Sequence, residues 1–94
     1  WNGAILNLSD ATVLYEDQKL ELTKNEFKIL QILLEQTGQI VSRENIMTRL
    51  WDSDEFIDDN TLTVNVARLR KKLEKAGLKD KIITKKGIGY MVEA

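Results

Sequence analysis

Neither cysteine nor histidine occurs among the 94 residues of the chain. Without cysteine there is no disulfide framework and no thiol chemistry. Without histidine the commonest general base and the commonest metal ligand are missing. The sequence also contains no glycine-rich phosphate loop and no nucleophile elbow. An enzyme would therefore have no catalytic candidates, and we expect a protein without catalysis and without a cofactor.

Long apolar runs are also missing, since no stretch approaches the roughly 18 residues of a membrane helix, and nothing resembles a signal peptide. An apolar fraction of 43% beside a charged fraction of 31% is typical of a folded globular domain rather than a disordered chain. We therefore expect one small cytoplasmic domain that spans residues 1–94.

The net charge of −1 conceals an uneven distribution. Residues 64–90 carry nine lysines or arginines against two acids, a local excess of seven positive charges, whereas residues 52–59 carry five acids and no base. Attraction to phosphate acts over about 8–10 Å, so a local basic surface matters more than the total charge. A nucleic-acid partner is compatible with this distribution.

Both ends of the chain predict antiparallel strands. Residues 1–22 alternate apolar and β-branched runs with polar turns, which predicts three or four strands, among them 12–15 and 19–22. Residues 78–94 predict a hairpin with two lysines at or near its tip. The hairpin strands are 81–84 and 89–92, joined by a turn at 85–88.

Residues 23–77 predict a core of three helices. Thr23 and Glu26 fit a capping box for a first helix that ends near Thr37. Ser42 caps a second helix that ends near Trp51. The third helix spans 60–76, is capped by Asp59 or Asn60, and is stopped by Gly77.

The third helix has two contrasting faces. Its apolar stripe at i, i+4, i+7 and i+11 consists of Leu62, Val66, Leu69 and Leu73. The opposite face has no acid and consists of Thr61, Val64, Asn65, Arg68, Lys71 and Lys72. These groups suit guanine, adenine, phosphate and the thymine methyl group of a DNA major groove. The alternative is a basic face that only keeps the helix soluble.

The order sheet, helix, helix, helix, hairpin predicts an α+β fold, a winged helix-turn-helix. In such a fold the third helix, residues 60–76, enters the major groove of double-stranded DNA. The hairpin, or wing, reaches the minor groove or phosphates with residues 84–90.

Five short motifs resemble the effector domain of OmpR/PhoB-type response regulators, in that family's order and over nearly the whole chain. They are LTKNEF at 22–27, VSRE at 41–44, LW at 50–51, RLRKKL at 68–73 and KGIGY at 86–90. Within the family, residues 51–73 are most similar to regulators of bacitracin and peptide-antibiotic resistance.

The resemblance implies a four-stranded N-terminal sheet and transcription control in a bacterial two-component system. It implies a receiver domain that lies outside this chain. It also implies that the protein binds direct DNA repeats as a homodimer, and that the receiver domain joins the two copies. It also implies contact with RNA polymerase by the loop at 52–59. The acids of that loop are Asp52, Asp54, Glu55, Asp58 and Asp59.

Five residues of the third helix are predicted base contacts. Arg68 suits guanine, with phosphate as its alternative, while Asn65 suits adenine and Val64 a thymine methyl group. Thr61 and Thr63 lie near the start of the helix, where either could contact a base or a phosphate. Thr61 equally fits a role in forming the start of the helix. Because Thr63, Asn65 and Ala67 replace the commonest family residues, the family's operator sequences cannot be carried over.

Seven further residues are predicted contacts to phosphate or the minor groove, namely Arg43, Trp51, Arg70, Lys72, Thr84, Lys86 and Tyr90. Lys86 stands where the family has a minor-groove arginine, and it lacks the planar guanidinium. A packing role is the alternative for Trp51, and a place in the core is the alternative for Tyr90.

Two rival functions are open. The first is a winged helix that binds protein rather than DNA. The second is a calcium loop beginning at Asp52, which is disfavoured because Phe56 and Ile57 occupy positions that need a ligand and a glycine.

Overall fold

The computed structural model describes residues 1–54 and 56–93, and the winged-helix class is confirmed. The three helices are α1 (Lys24–Glu35), α2 (Arg43–Asp52) and α3 (Asp59–Lys75). The strands are β1 (Ile5–Asn7), β2 (Thr12–Tyr15), β3 (Gln18–Glu21), β4 (Val41–Ser42), β5 (Ile82–Lys85) and β6 (Gly89–Val92). The described residues form two antiparallel sheets, with strand orders β1-β2-β3 and β4-β6-β5.

The N-terminal sheet has three strands in the described part of the chain, so the four strands implied by the resemblance are wrong. Strand β2 lies where it was predicted, and β3 begins and ends one residue early. The reason is that Leu22 turns into the core, where it is buried, and Thr23 already caps α1. The chain therefore leaves the sheet directly into the helix.

Helix α1 begins with the predicted capping box, which is confirmed. Thr23 Oγ1 accepts a hydrogen bond from the backbone N–H of Glu26 at 3.2 Å, and Glu26 Oε1 accepts one from that of Thr23 at 2.8 Å. The helix ends at Glu35, earlier than predicted. Gly38 adopts φ +84° and donates its N–H to the carbonyl oxygen of Val92 at 2.8 Å, so this segment is bonded to β6 instead.

Helices α2 and α3 begin with side-chain caps. Ser42 caps α2 as predicted, with its Oγ accepting from the N–H of Asn45 at 3.0 Å. Helix α3 is capped by Asp58 rather than by Asp59 or Asn60, because Asp58 Oδ1 accepts from the N–H of Thr61 at 2.7 Å. The predicted apolar stripe of α3 is buried and packs into the core, as its members Leu62, Val66, Leu69 and Leu73 show.

The wing is joined to the helical core by β4, a strand that was not predicted. Strand β6 lies between β4 and β5, with Val41 opposite Tyr90 and Ser42 opposite Gly89. Strand β5 begins one residue later than predicted, and the turn occupies residues 86–88. A two-residue strand has too little sequence for an alternating pattern, so only its tertiary pairing identifies it.

Candidate nucleic-acid interface

The outer face of α3 is open to solvent along most of the helix. Val64 and Arg68, two predicted base contacts, are exposed, as is Lys71. Asn60 and Ala67 are also exposed and were not among the predicted site residues. At 100° per residue, Asn60 and Ala67 lie within about 30–50° of the direction opposite the buried stripe. Their spacing along the sequence was therefore enough to place them on the open face.

Asn65 was wrongly placed on this open face. Only 7% of the residue is exposed, and its Nδ2 donates to the carbonyl oxygen of Thr61, one turn earlier, at 2.9 Å. At 100° per residue Asn65 lies only about 70° from the centre of the apolar stripe. The side chain therefore sits against the core and bonds its own helix instead of projecting outward.

Lys72 was also wrongly placed on the outer face. Its Nζ donates to Glu26 Oε1 at 2.6 Å and to the carbonyl oxygen of Glu21 at 3.4 Å. Glu26 is 1% exposed. Burial alone would raise the pKa of Glu26, but the bonds from Lys72 and from the backbone of Thr23 outweigh it and lower the pKa. Lys72 thus joins α3 to the start of α1.

Two predicted phosphate contacts come together between α3 and the wing. Arg70 Nη2 donates to Thr84 Oγ1 at 2.7 Å, which joins the C-terminal half of α3 to β5. Lys86 is exposed in the wing turn, where Gly87 adopts φ +76°. The open face of α3 and the lysine-bearing turn therefore belong to elements that are bonded side by side.

A second cluster joins α2, α3 and the wing around Arg43. Its Nε donates to Asp59 Oδ1 at 2.8 Å, and its Nη2 donates to the Asp59 carbonyl oxygen at 2.6 Å. The same Nη2 donates to Thr63 Oγ1 at 2.7 Å, and Nη1 donates to the Tyr90 hydroxyl at 2.6 Å. The bond to Asp59 is the main cause of the raised pKa of Arg43. Tyr90 is 4% exposed, so the core alternative describes its position.

The segment between α2 and α3 combines exposed and bonded residues. Trp51 is 51% exposed while its Nε1 donates to the carbonyl oxygen of Ile57 at 3.3 Å. Phe56 is 74% exposed. The acids of this segment differ in position: Asp52 and Asp54 are exposed, Asp58 caps α3, Asp59 bonds Arg43, and Glu55 lies outside the described residues.

Residues 1–54 and 56–93 show neither a metal-binding cluster nor a membrane-spanning helix. No group of three or more histidine, cysteine, aspartate or glutamate side chains there is arranged to hold a metal ion. No helix in that part of the chain is long and apolar enough to cross a membrane.

Comparison with known proteins identifies the family. Residues 17–92 match the model of the family described as "Transcriptional regulatory protein, C terminal". The chain belongs to this family. The predicted OmpR/PhoB-type effector domain is confirmed. The family match includes α1, α2, α3 and the wing, and it begins within the turn before β3.

The relatives of this transcriptional regulatory domain agree with that membership. The chain is 50% identical to the response regulator protein GraR of Staphylococcus aureus (strain MRSA252) over 91 residues. The aligned region covers 97% of this chain and 41% of GraR. The chain thus spans about two fifths of the length of the curated relatives it matches.

Solved structures show the same fold. The C-terminal domain of the nisin resistance regulator NsrR, a lantibiotic response regulator, superposes with a TM-score of 0.91 at 40% identity, covering 100% of this chain and 95% of that one. The DNA-binding domain of the response regulator AdeR was solved in complex with an intercistronic region. It superposes with a TM-score of 0.84 at 25% identity, covering 99% of this chain and 95% of that one. The predicted branch of antibiotic-resistance regulators fits the likeness to NsrR, which is named a nisin resistance regulator.

Proposed function

We propose that this domain binds double-stranded DNA sequence-specifically, as the output domain of a two-component transcriptional regulator. The observation that carries the proposal is the open face of α3, which lies opposite the buried stripe and beside the wing. It contains no acid between Asn60 and Lys71. The DNA complex of the related AdeR domain supports the same use of this fold.

In this proposal α3 lies in the major groove. Arg68 donates to guanine O6 and N7, and the methyl groups of Val64 and Ala67 contact thymine methyl groups. Lys71 neutralises phosphate, and Lys86 on the wing contacts phosphate or the minor groove. Asn65 has no part, because its amide is buried and bonded to Thr61.

The larger assembly is also proposed. The relatives are more than twice as long as this chain and are named response regulators, which supports a receiver domain that pairs two copies on direct repeats. The segment 52–59, with exposed Phe56 and exposed acids, is the proposed contact for RNA polymerase. Such a protein acts on DNA in the cytoplasm.

The proposal is tested by selecting bound duplexes from a random pool and then measuring affinity by fluorescence anisotropy. We expect Arg68→Ala to weaken the selected site by about 1–3 kcal/mol and to relax the preference at one base pair. The matched control is Lys19→Ala, since Lys19 lies on β3 of the other sheet and pairs with Asp10 at 3.4 Å. It removes the same formal charge from a residue that belongs to neither α3 nor the wing.

Absence of DNA affinity at low salt for the folded domain would reject DNA binding and favour the protein-contact alternative. An unchanged base preference in Arg68→Ala would reject direct readout by Arg68. Equal losses in Arg68→Ala and Lys19→Ala would show that only total charge matters.

A further inference from the structure

The guanidinium of Arg43 is almost fully used inside the molecule. Its contacts with Asp59, Thr63 and the Tyr90 hydroxyl occupy four of the five N–H groups that an arginine offers. Its carbon also lies 5.6 Å from the centre of the Tyr90 ring, within the range of a cation–π contact. Little donor capacity is left for a phosphate.

The same contacts orient the hydroxyl of Thr63, so that its oxygen is an acceptor inside the molecule and its hydrogen remains a weakly bonded donor. Its oxygen accepts from Arg43 Nη2 at 2.7 Å. Among residues 1–54 and 56–93, the one acceptor that its hydrogen reaches is the carbonyl oxygen of Asp59, at 3.4 Å, and that oxygen already accepts from Arg43 at 2.6 Å. Since Thr63 is exposed on α3 next to Val64, its O–H is available to a stronger external acceptor.

We propose that Arg43 is a positioning residue that stays bonded to Asp59, Thr63 and Tyr90 when DNA binds. It thereby holds the Thr63 hydroxyl as a hydrogen-bond donor toward an oxygen or nitrogen acceptor on the DNA. The inference rests on the proposed DNA binding, and it assigns to Thr63 the contact that Arg43 was predicted to make.

Electrostatics disfavour transfer of Arg43 to a phosphate. The Asp59 side chain is 70% exposed, whereas that of Arg43 is 23% exposed. If Arg43 left, it would break four hydrogen bonds and leave the Asp59 carboxylate unneutralised beside a polyanion. A Thr63 donor needs no such rearrangement, because only its hydroxyl hydrogen has to turn from the Asp59 carbonyl oxygen to the acceptor on the DNA.

The first experiment uses the variant Arg43→Gln/Asp59→Asn, which removes the ion pair without changing the net charge. Affinity for the selected duplex is measured by anisotropy from low to moderate salt. We expect weaker binding with an unchanged slope of log K against log salt, because a positioning residue releases no counterion. A slope reduced by about one unit would show that Arg43 binds phosphate, and would overturn the proposal.

The second experiment tests the coupling to Thr63. Thr63→Val, which replaces the hydroxyl by a methyl group, is expected to lower DNA affinity about fivefold to tenfold, whereas Thr63→Ser, which keeps a hydroxyl, is expected to bind nearly as well as the original protein. In the Thr63→Val background, the Arg43→Gln/Asp59→Asn change is expected to cost much less than in the original protein. Additive losses would show that Arg43 acts independently of Thr63 and would overturn the inference.

Two controls distinguish failure of this inference from unfolding of a variant and from absence of DNA binding. The thermal midpoint of each variant without DNA identifies losses that come from unfolding, and Thr63→Val, at an exposed position, is expected to remain folded. A loss in Thr63→Val that is uniform over all duplexes assigns the acceptor to phosphate, and a sequence-selective loss assigns it to a base edge. Absence of DNA binding in the original protein would instead defeat the proposed function itself.

Discussion

At the residue scale, the buried carboxylate of Glu26 performs two tasks. It accepts the backbone N–H of Thr23 at the start of α1, and it accepts from Lys72 on α3 at 2.6 Å. The sequence predicts the first bond, since a capping box depends on residues three apart. The second joins residues that are far apart in the chain, so helical periodicity gave no sign of it.

The Glu26 carboxylate is expected to make stability dependent on acid pH. Its pKa is lower in the folded protein than in the unfolded chain, so its stabilisation is complete above the usual glutamate pKa of about 4.3. It is lost as the pH falls through the folded value. Because Lys72 remains 38% exposed at its side chain, we expect Glu26→Gln to cost about 2 kcal/mol at pH 7, less than a fully enclosed pair.

Urea unfolding of both proteins at pH 7 and at pH 3 measures this dependence. The original protein should lose more stability on acidification than Glu26→Gln, whose neutral amide keeps the cap and does not titrate. The comparison is needed because the pKa values of Asp10 and Asp58 are also lowered in the fold. Equal acid losses in the two proteins would show that Glu26 does not contribute to the pH dependence.

At the scale of elements, the short strand β4 fixes the wing to the core by a close backbone approach. A methyl group built on Gly89 would lie 2.8 Å from the Cα of Ser42, and closer still to the carbonyl oxygen of Val41. Only glycine permits this pairing of β6 with β4. The loop glycine Gly87, in contrast, has no neighbour near such a methyl group.

Gly89→Ala is therefore expected to destabilise the domain by about 2–3 kcal/mol, because both contacts are backbone atoms that cannot turn aside. The matched variant Gly87→Ala meets no clash and bears only the strain of its φ of +76°, a cost of about 1 kcal/mol. Urea unfolding at neutral pH gives both values. A Gly89→Ala loss no larger than that of Gly87→Ala would show that β4 and β6 separate easily.

The elements that were predicted well are those set by local chemistry. The capping box of Thr23, the Ser42 cap and the buried stripe of α3 all follow from residues within a few positions of one another. The failures are tertiary. Asn65 and Lys72 lie at the edge of the stripe, where contacts with Thr61 and Glu26 decide whether a side chain points outward.

At the scale of the whole molecule, the distribution of charge matters more than its sum. The longest extent is 34 Å, which is more than three times the screening length of about 8–10 Å at moderate salt. A phosphate beside α3 and the wing therefore responds chiefly to the exposed Arg68, Lys71 and Lys86, and the total of −1 has little influence. A small acidic protein is thus compatible with a DNA-binding surface.

Lys86→Ala tests whether the wing contributes through charge alone. An ammonium group at the exposed turn neutralises phosphate without a planar fork to read a base edge. We expect the variant to weaken all duplexes by a similar factor and to lower the slope of log K against log salt by about one unit. Lys19→Ala, which removes a lysine from the other sheet, should leave the slope unchanged. A loss confined to particular sequences would instead show that the wing reads the groove, because uniform phosphate contact cannot distinguish one duplex from another.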